Sequence, residues 1–327
     1  MVDLSDKKVI FIAPKFFGYD SLIEDRLKAR GAIVSRMVDR PFSSSILSAL
    51  TVKFTKIISE LLNKFYINQI KDIGYKVDYI LIINGQTISQ NVLKYLKLSN
   101  PNAKLILYMW DSLENRPNTL QSFNLYDSVF SFDKRSATKH HLKFRPLFYG
   151  KSNFSGEANS DEESFVLSFI GTAHSDRYKI IKSLQKSSNN INCFWYLYLK
   201  ARWVYFAYML INKNFASARM GDFMYTPMPM SKMKNIFNRS EIIVDIEHAN
   251  QTGLTIRTFD IMNAQKKMVT TNKDVINYDF YKFGNIFILD RNNPNISEDF
   301  INRRFNPYTQ EVLDYYSIDG WLEEVMN

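Results

Sequence analysis

Short, almost wholly apolar runs alternate with helix-patterned segments along nearly the whole chain, and that alternation leaves few folds open. In the first half, KKVIFIA, AIVSRMV, DYILIING, KLILYMW and SVFSFD read as strands. Between them SLIEDRLKARG reads as a helix ending at Gly31, and SILSALTVKFTKIISELLNKFYINQIKDI as a long amphipathic stretch. QNVLKYLKL, NTLQSF and KRSATKHHL read as further helices, and FRPLFYG closes the half. Strands apolar along their whole length are buried on both faces, which requires a parallel sheet with helices packed on each side.

Residues 150–164, GKSNFSGEANSDEES, break the pattern: they are polar, acidic and aperiodic, and read as a linker. Beyond them the alternation restarts with FVLSFIGT, a helix from about Asp176, INCFWYLYL, an aromatic helix, MSKMKNIFNRS, EIIVDI, a helix from Thr255, KMVTTN and NIFILD. A chain of 327 residues fits two domains of ordinary size. The reading is α/β: two Rossmann-like, doubly wound domains, at 1–149 and 165–306, followed by residues 307–327. In such sheets ligands bind beyond the carboxyl ends of the strands, here expected in a cleft between the halves.

The net charge of +9 calls for an acidic partner: nucleic acid, an anionic membrane surface or a phosphorylated ligand. Cys193 is the only cysteine, which excludes an intramolecular disulfide framework or a Cys-rich zinc site and makes the cytoplasm the expected location. The first apolar run is too short for a signal peptide. CFWYLYLKARWVYFAYMLI is interrupted by Lys200, Ala201 and Arg202 and falls short of the roughly 18 apolar residues of a membrane span. It reads as a strand and an aromatic helix. That helix is either core packing or a peripheral attachment to the inner face of the cell membrane, with Trp203, Tyr205, Phe206 and Tyr208 inserted and Lys200 and Arg202 near headgroups.

Two strand–loop–helix junctions carry the functional signal. In FVLSFIGTAHSDRYKII, Gly171 ends the strand, Ser175 or Asp176 caps the helix, and Arg177 and Lys179 occupy its first turn. Cations there oppose the helix dipole, which a bound phosphate would explain. In SEIIVDIEHANQTGLTIRTFDIMNAQKKMVTTN, the strand ends at Glu247 and His248, and Gly253, Leu254 and Thr255 open a helix bearing Arg257 and Asp260. Amides at this turn suit a second phosphate contact, with Arg257 beside it, and Asp260 suits a ribose diol.

The stretch GLTIRTFDIMNAQKKMVT resembles the donor half of nucleotide-sugar glycosyltransferases of the GT-B fold, whose pattern runs from a Gly-Leu loop to an acid opening E-A-M-A-x-G-x-P-V-V. Asp260 stands at that acid, Met262 at the Met, and Met268–Val269 at the closing strand. GLTIRTFD is closer still to the CgeB-like and lipopolysaccharide or capsule glycosyltransferases of bacteria. FIGTAHSDRYKII resembles the start of their second domain, and YYSIDGWLEEVMN their last helix, which crosses back to the first. Gln265 departs from the pattern, replacing a Gly; Asp260 is shorter than Glu; and Glu247 lies farther ahead of Asp260 than the usual spacing. The resemblance covers about a third of the chain, all beyond residue 164.

It implies a nucleotide-sugar donor held by Gly171, Thr172, Arg177, Lys179, His248, Gly253, Leu254, Thr255, Arg257 and Asp260, with Glu247 as a catalytic group. It implies a glycan or lipid-linked acceptor, and neither a cofactor nor a bound metal, since helix dipoles and basic residues meet the leaving diphosphate. His140 and His141 lack partners at ligand spacing. In the first half Asp111 follows the strand KLILYMW, where an inverting transferase needs a general base; the alternative is a helix cap. Glu114 and Gly18 are further acceptor-side candidates. Two other classes compete: a nucleotide-sugar epimerase of the same fold, and a non-catalytic basic nucleic-acid binder. The dispersed basic residues and the lack of any nucleic-acid-binding motif speak against nucleic acid.

Overall fold

The computed structural model describes residues 2–16, 18–39, 59–113, 117–150, 163–188, 190–248 and 252–327. Glu114, most of the 150–164 stretch and the first part of the long amphipathic segment lie outside them. The chain divides into two compact units, Met1–Gly150 with Tyr315–Asn327, and Lys151–Asp314.

In the first unit, β1 (Lys8–Ala13), β2 (Ile33–Val38), β3 (Tyr79–Ile83), β4 (Lys104–Met109), β5 (Ser128–Ser131) and β6 (Lys143–Phe144) form one sheet. Its order is 2-1-3-4-5-6, and every pairing is parallel. Almost every residue of β1, β3 and β4 is buried, as a sheet covered on both faces demands. Helix α1 (Tyr19–Ala29) follows β1. On one face α2 (Ser59–Ile73) contributes Leu62, Tyr66 and Ile70, and α3 (Gln90–Ser99) contributes Val92, Leu93 and Leu96, to a single core. The C-terminal helix α4 (Ile318–Met326) also belongs to this unit. Its Trp321 is fully buried, with ring centroids 4.8 Å from both Tyr108 and Phe148. Arg26 and Arg30 both pair with Asp319 at its start.

The second unit is built from β7 (Phe165–Thr172), β8 (Cys193–Tyr198), β9 (Ser240–Asp245), β10 (Lys267–Thr270) and β11 (Ile286–Ile288). The order is 11-10-9-7-8, again wholly parallel. Four helices matter here: α5 (Arg177–Ser187), α6 (Arg202–Ile211), α7 (Met230–Asn238) and α8 (Ile256–Asn263). From β7 the chain runs first outward to β8 and then back past β7 to β9. The direction of winding therefore reverses between β7 and β9, the place where open α/β sheets bind ligands.

Two sequence expectations need correction. Gly171 does not end its strand: β7 runs on through Thr172. A Cβ on Gly171 would lie 2.8 Å from Cζ of Phe169 and 3.4 Å from Nη1 of Arg177, so this glycine gives those two side chains room. The aromatic helix α6 turns Val204, Tyr205 and Tyr208 inward, with the Tyr205 hydroxyl donating to the Ala218 carbonyl. Tyr205 and Tyr208 are thus half-buried against the core, not part of an outward face.

Candidate functional site

The junctions identified in the sequence meet at the winding reversal of the second unit. Here β7 and β9 end side by side, and α5 and α8 begin. Each helix start carries a residue type that normally caps a helix, Asp176 for α5 and Thr255 for α8. Neither side chain caps its own helix. The Asp176 carboxylate is held by Arg291, whose Nη1 lies 2.8 Å from both oxygens. The Thr255 hydroxyl donates to Asp245 Oδ2 at 2.8 Å, and Thr258 donates to the same oxygen at 3.1 Å. Asp245 is the buried last residue of β9, so its carboxylate pulls the first turn of α8 onto the strand end. Both helices therefore present first turns without a side-chain cap, and helix N-termini attract anions through partial positive charge.

A second layer braces this edge. Arg291, just beyond β11, also donates to the Glu247 main-chain carbonyl at 2.9 Å and pairs with its carboxylate. Thr271 donates to the other oxygen of Glu247 at 2.6 Å. Burial works against the Arg291 charge, but its bonds to Glu247 and Asp176 outweigh that and raise its pKa. Burial lifts the Glu247 carboxyl above its usual range, with Thr271 and Arg291 pulling the other way. Asn272 ties down the loop before α8, donating to the Thr252 carbonyl at 3.0 Å.

Arg177 serves the same brace. Its Nε donates to the Ile246 carbonyl at 2.5 Å and its Nη1 to the Thr172 carbonyl at 3.0 Å, linking the ends of β7 and β9. Burial lowers its pKa to about 10. Arg257 differs: it lies over the Phe237 ring at 5.5 Å and reaches Met233 Sδ at 3.6 Å, with no carboxylate partner among the described residues. His174 and His248 stack at the same edge, ring centroids 5.5 Å apart. Burial, followed by the nearby Arg177 charge, lowers the His174 pKa to about 4, so its imidazole is neutral at pH 7.

Of the donor-side residues read from the sequence, Gly171, Thr172, Arg177, His248, Gly253, Thr255 and Arg257 gather at this edge, as does Glu247. Leu254 is buried at 2% exposure and belongs to the core. Lys179 is exposed in the first turn of α5. Asp260 stands farther along α8 and is half-buried. Glu247, read as catalytic, has both carboxylate oxygens engaged and is 4% exposed, which makes it part of the brace. The sequence reading missed His174, Asp176 as an ion-pair partner, Asp245, Thr258 and Arg291. Asp245 did leave a signal, as an acid closing an otherwise apolar strand.

In the first unit, Asp111 follows β4 and accepts a hydrogen bond from Asn84 Nδ2 at 3.0 Å. Asn84 takes a left-handed φ of 61° at the end of β3, and its Oδ1 accepts from the Trp110 N–H at 3.1 Å. Gly18 precedes α1 with φ 84°. The Phe16 ring packs against Trp110, centroids 5.5 Å apart.

No family model and no curated protein matches this chain. Solved structures do. A structure entitled OtsA apo has TM-score 0.65 and 9% identity, covering 98% of each chain. Anabaena Alr3699/HepE, in complex with UDP and glucose, has TM-score 0.59 and 11% identity, covering 98% of this chain and 99% of its own. UDP-GlcNAc 2-epimerase from Neisseria meningitidis, bound to UDP-GlcNAc, has TM-score 0.56 and 11% identity over the same shares. At such identities the likeness shows the fold, the two-Rossmann GT-B architecture.

Proposed function

We propose that the chain is a glycosyltransferase that takes a sugar from a nucleotide-diphosphate donor and passes it to a glycan or lipid-linked acceptor, in bacterial surface-polysaccharide synthesis. One observation carries the reading: at the winding reversal of the second unit, two helix N-termini have their cap residues turned to other partners, beside Arg257, which has no carboxylate partner among the described residues. A diphosphate is the ligand that two such termini and Arg257 would stabilise together. Negative charge grows on the diphosphate as the glycosidic bond breaks, so the same groups would lower the barrier. Neutral His174 would supply a hydrogen bond without adding charge. Asp260 remains the proposed ribose contact. If the reaction inverts, Asp111, steadied by Asn84, is the proposed general base for the acceptor hydroxyl.

Nucleotide-sugar epimerisation is the second reading, favoured by the full-length likeness to an epimerase fold. Both readings require nucleotide binding and part at the acceptor. Thermal-shift measurements with UDP, GDP, CMP and dTDP sugars test the shared step, since a ligand at 100 times its Kd adds about 2.7 kcal/mol of stability. No stabilisation by any of them would defeat both. With the stabilising sugar and no acceptor, formation of an epimer selects epimerisation and refutes the transferase.

A further inference from the structure

Helix α6 has two apolar faces, and only one is used. Val204, Tyr205 and Tyr208 pack on the core of the second unit. The opposite face leaves Trp203 70%, Phe206 54%, Leu210 87% and Ile211 78% exposed. Positions 203, 206 and 210 follow helical spacing and form one outward stripe. Water-exposed apolar groups this large, contiguous on a single helix, mark an interaction surface.

The charges around the stripe select its partner. Between Lys200 and Arg219 the chain has four cations, Lys200, Arg202, Lys213 and Arg219, and no acid. All four are exposed. Asp222, the next acid along, is engaged by Lys182 and by the Tyr178 hydroxyl, both at 2.8 Å. We infer that α6 lies on the surface of an anionic lipid bilayer, with Trp203, Phe206, Leu210 and Ile211 entering the headgroup–acyl boundary and the four cations against lipid phosphates. An exposed apolar stripe flanked along the chain by exposed cations suits a deformable anionic surface. A two-fold contact between copies would set the same four cations against each other. No described helix is long and apolar enough to cross a membrane.

The surface adjoins the candidate site. Asn212, the residue after α6, donates through Nδ2 to the Ser175 carbonyl at 2.9 Å, and Ser175 leads into α5. Seating α6 on a bilayer would bring the uncapped start of α5 close to that bilayer. The inference concerns binding alone and holds whatever reaction the site performs.

The test is co-sedimentation of the full chain with vesicles of phosphatidylcholine, and of phosphatidylcholine with phosphatidylglycerol. Binding is expected only with phosphatidylglycerol, and is expected to fall steeply at high salt. Each cation near such a surface contributes about fivefold to partitioning, so Lys200→Gln with Arg202→Gln should weaken binding by roughly 25-fold. Phe206→Ser with Leu210→Ser should weaken it at least tenfold while thermal melting stays unchanged, because both side chains face solvent. Equal binding to both vesicle types, no binding to either, or anionic binding unmoved by the Phe206/Leu210 pair would overturn the inference. So would a concentration-dependent dimer that the same pair abolishes.

Discussion

Nη1 of Arg291 lies 2.8 Å from each carboxylate oxygen of Asp176, and its Nη2 reaches Glu247. One guanidinium thus takes the cap from α5 and holds the end of β9. Removing one partner of a buried ion pair strands the other, at about 3–5 kcal/mol. Arg291→Ala should lose that much in urea unfolding. Adding Glu247→Gln should recover part of it, since the buried charge left behind is gone. Purely additive losses in the double-mutant cycle would show that the two residues are uncoupled.

Arg177 and Arg257 should separate cleanly. Arg177 joins two strand ends through main-chain carbonyls, so Arg177→Ala should lower stability by about 1.5–3 kcal/mol, chiefly through the part-buried charged hydrogen bond to Ile246. Arg257 has no carboxylate partner among the described residues, so Arg257→Ala should leave unfolding nearly unchanged. It should weaken nucleoside-diphosphate binding by roughly 1.5–3 kcal/mol, read by calorimetry. Loss of stability in the Arg257 variant, with affinity intact, would reverse the assignment.

The division of labour between these arginines explains what was legible in the sequence. Strands such as DYILIING declare themselves because burial on both faces leaves no polar position to confuse the period. The two junctions were legible because glycine, cap residues and cations cluster locally. The brace was not: Asp176 and Arg291 are 115 residues apart, and no local pattern announces their meeting. Gly171 was misread because a strand glycine looks like a breaker, whereas here it leaves room for the Phe169 ring and the Arg177 guanidinium. Helix α6 hid its phase because aromatic residues occupy both faces.

Gln265 illustrates a departure that the structure makes physical. It stands where the resembling pattern has glycine, and its φ is 52°. A side chain in the left-handed region costs about 1–2 kcal/mol, partly offset by the greater freedom glycine gains on unfolding. Gln265→Gly should therefore stabilise the protein by about 0.5–1 kcal/mol in urea unfolding. Gln265→Ala, which keeps a Cβ, should gain nothing. Equal gains from both would place the effect elsewhere than in backbone strain.

His174 should make stability depend on pH in a narrow window. Burial, reinforced by Arg177, lowers its pKa from 6.5 to about 4 in the folded chain. Between those values the unfolded chain holds a proton that the folded chain does not, so acid favours unfolding there. The contribution is complete above pH 6.5 and lost as pH falls toward 4. Solvent at the half-buried ring screens the effect, leaving about 1 kcal/mol between pH 7.5 and 5. His174→Gln should flatten that part of the urea-stability profile relative to the parent. A bound diphosphate would act in the opposite direction, since an anion beside the imidazole favours its protonated form. With saturating nucleoside diphosphate, the difference between parent and variant should shrink. Parallel profiles for the two proteins without ligand would mean that His174 is already as solvated in the folded chain as in the unfolded one.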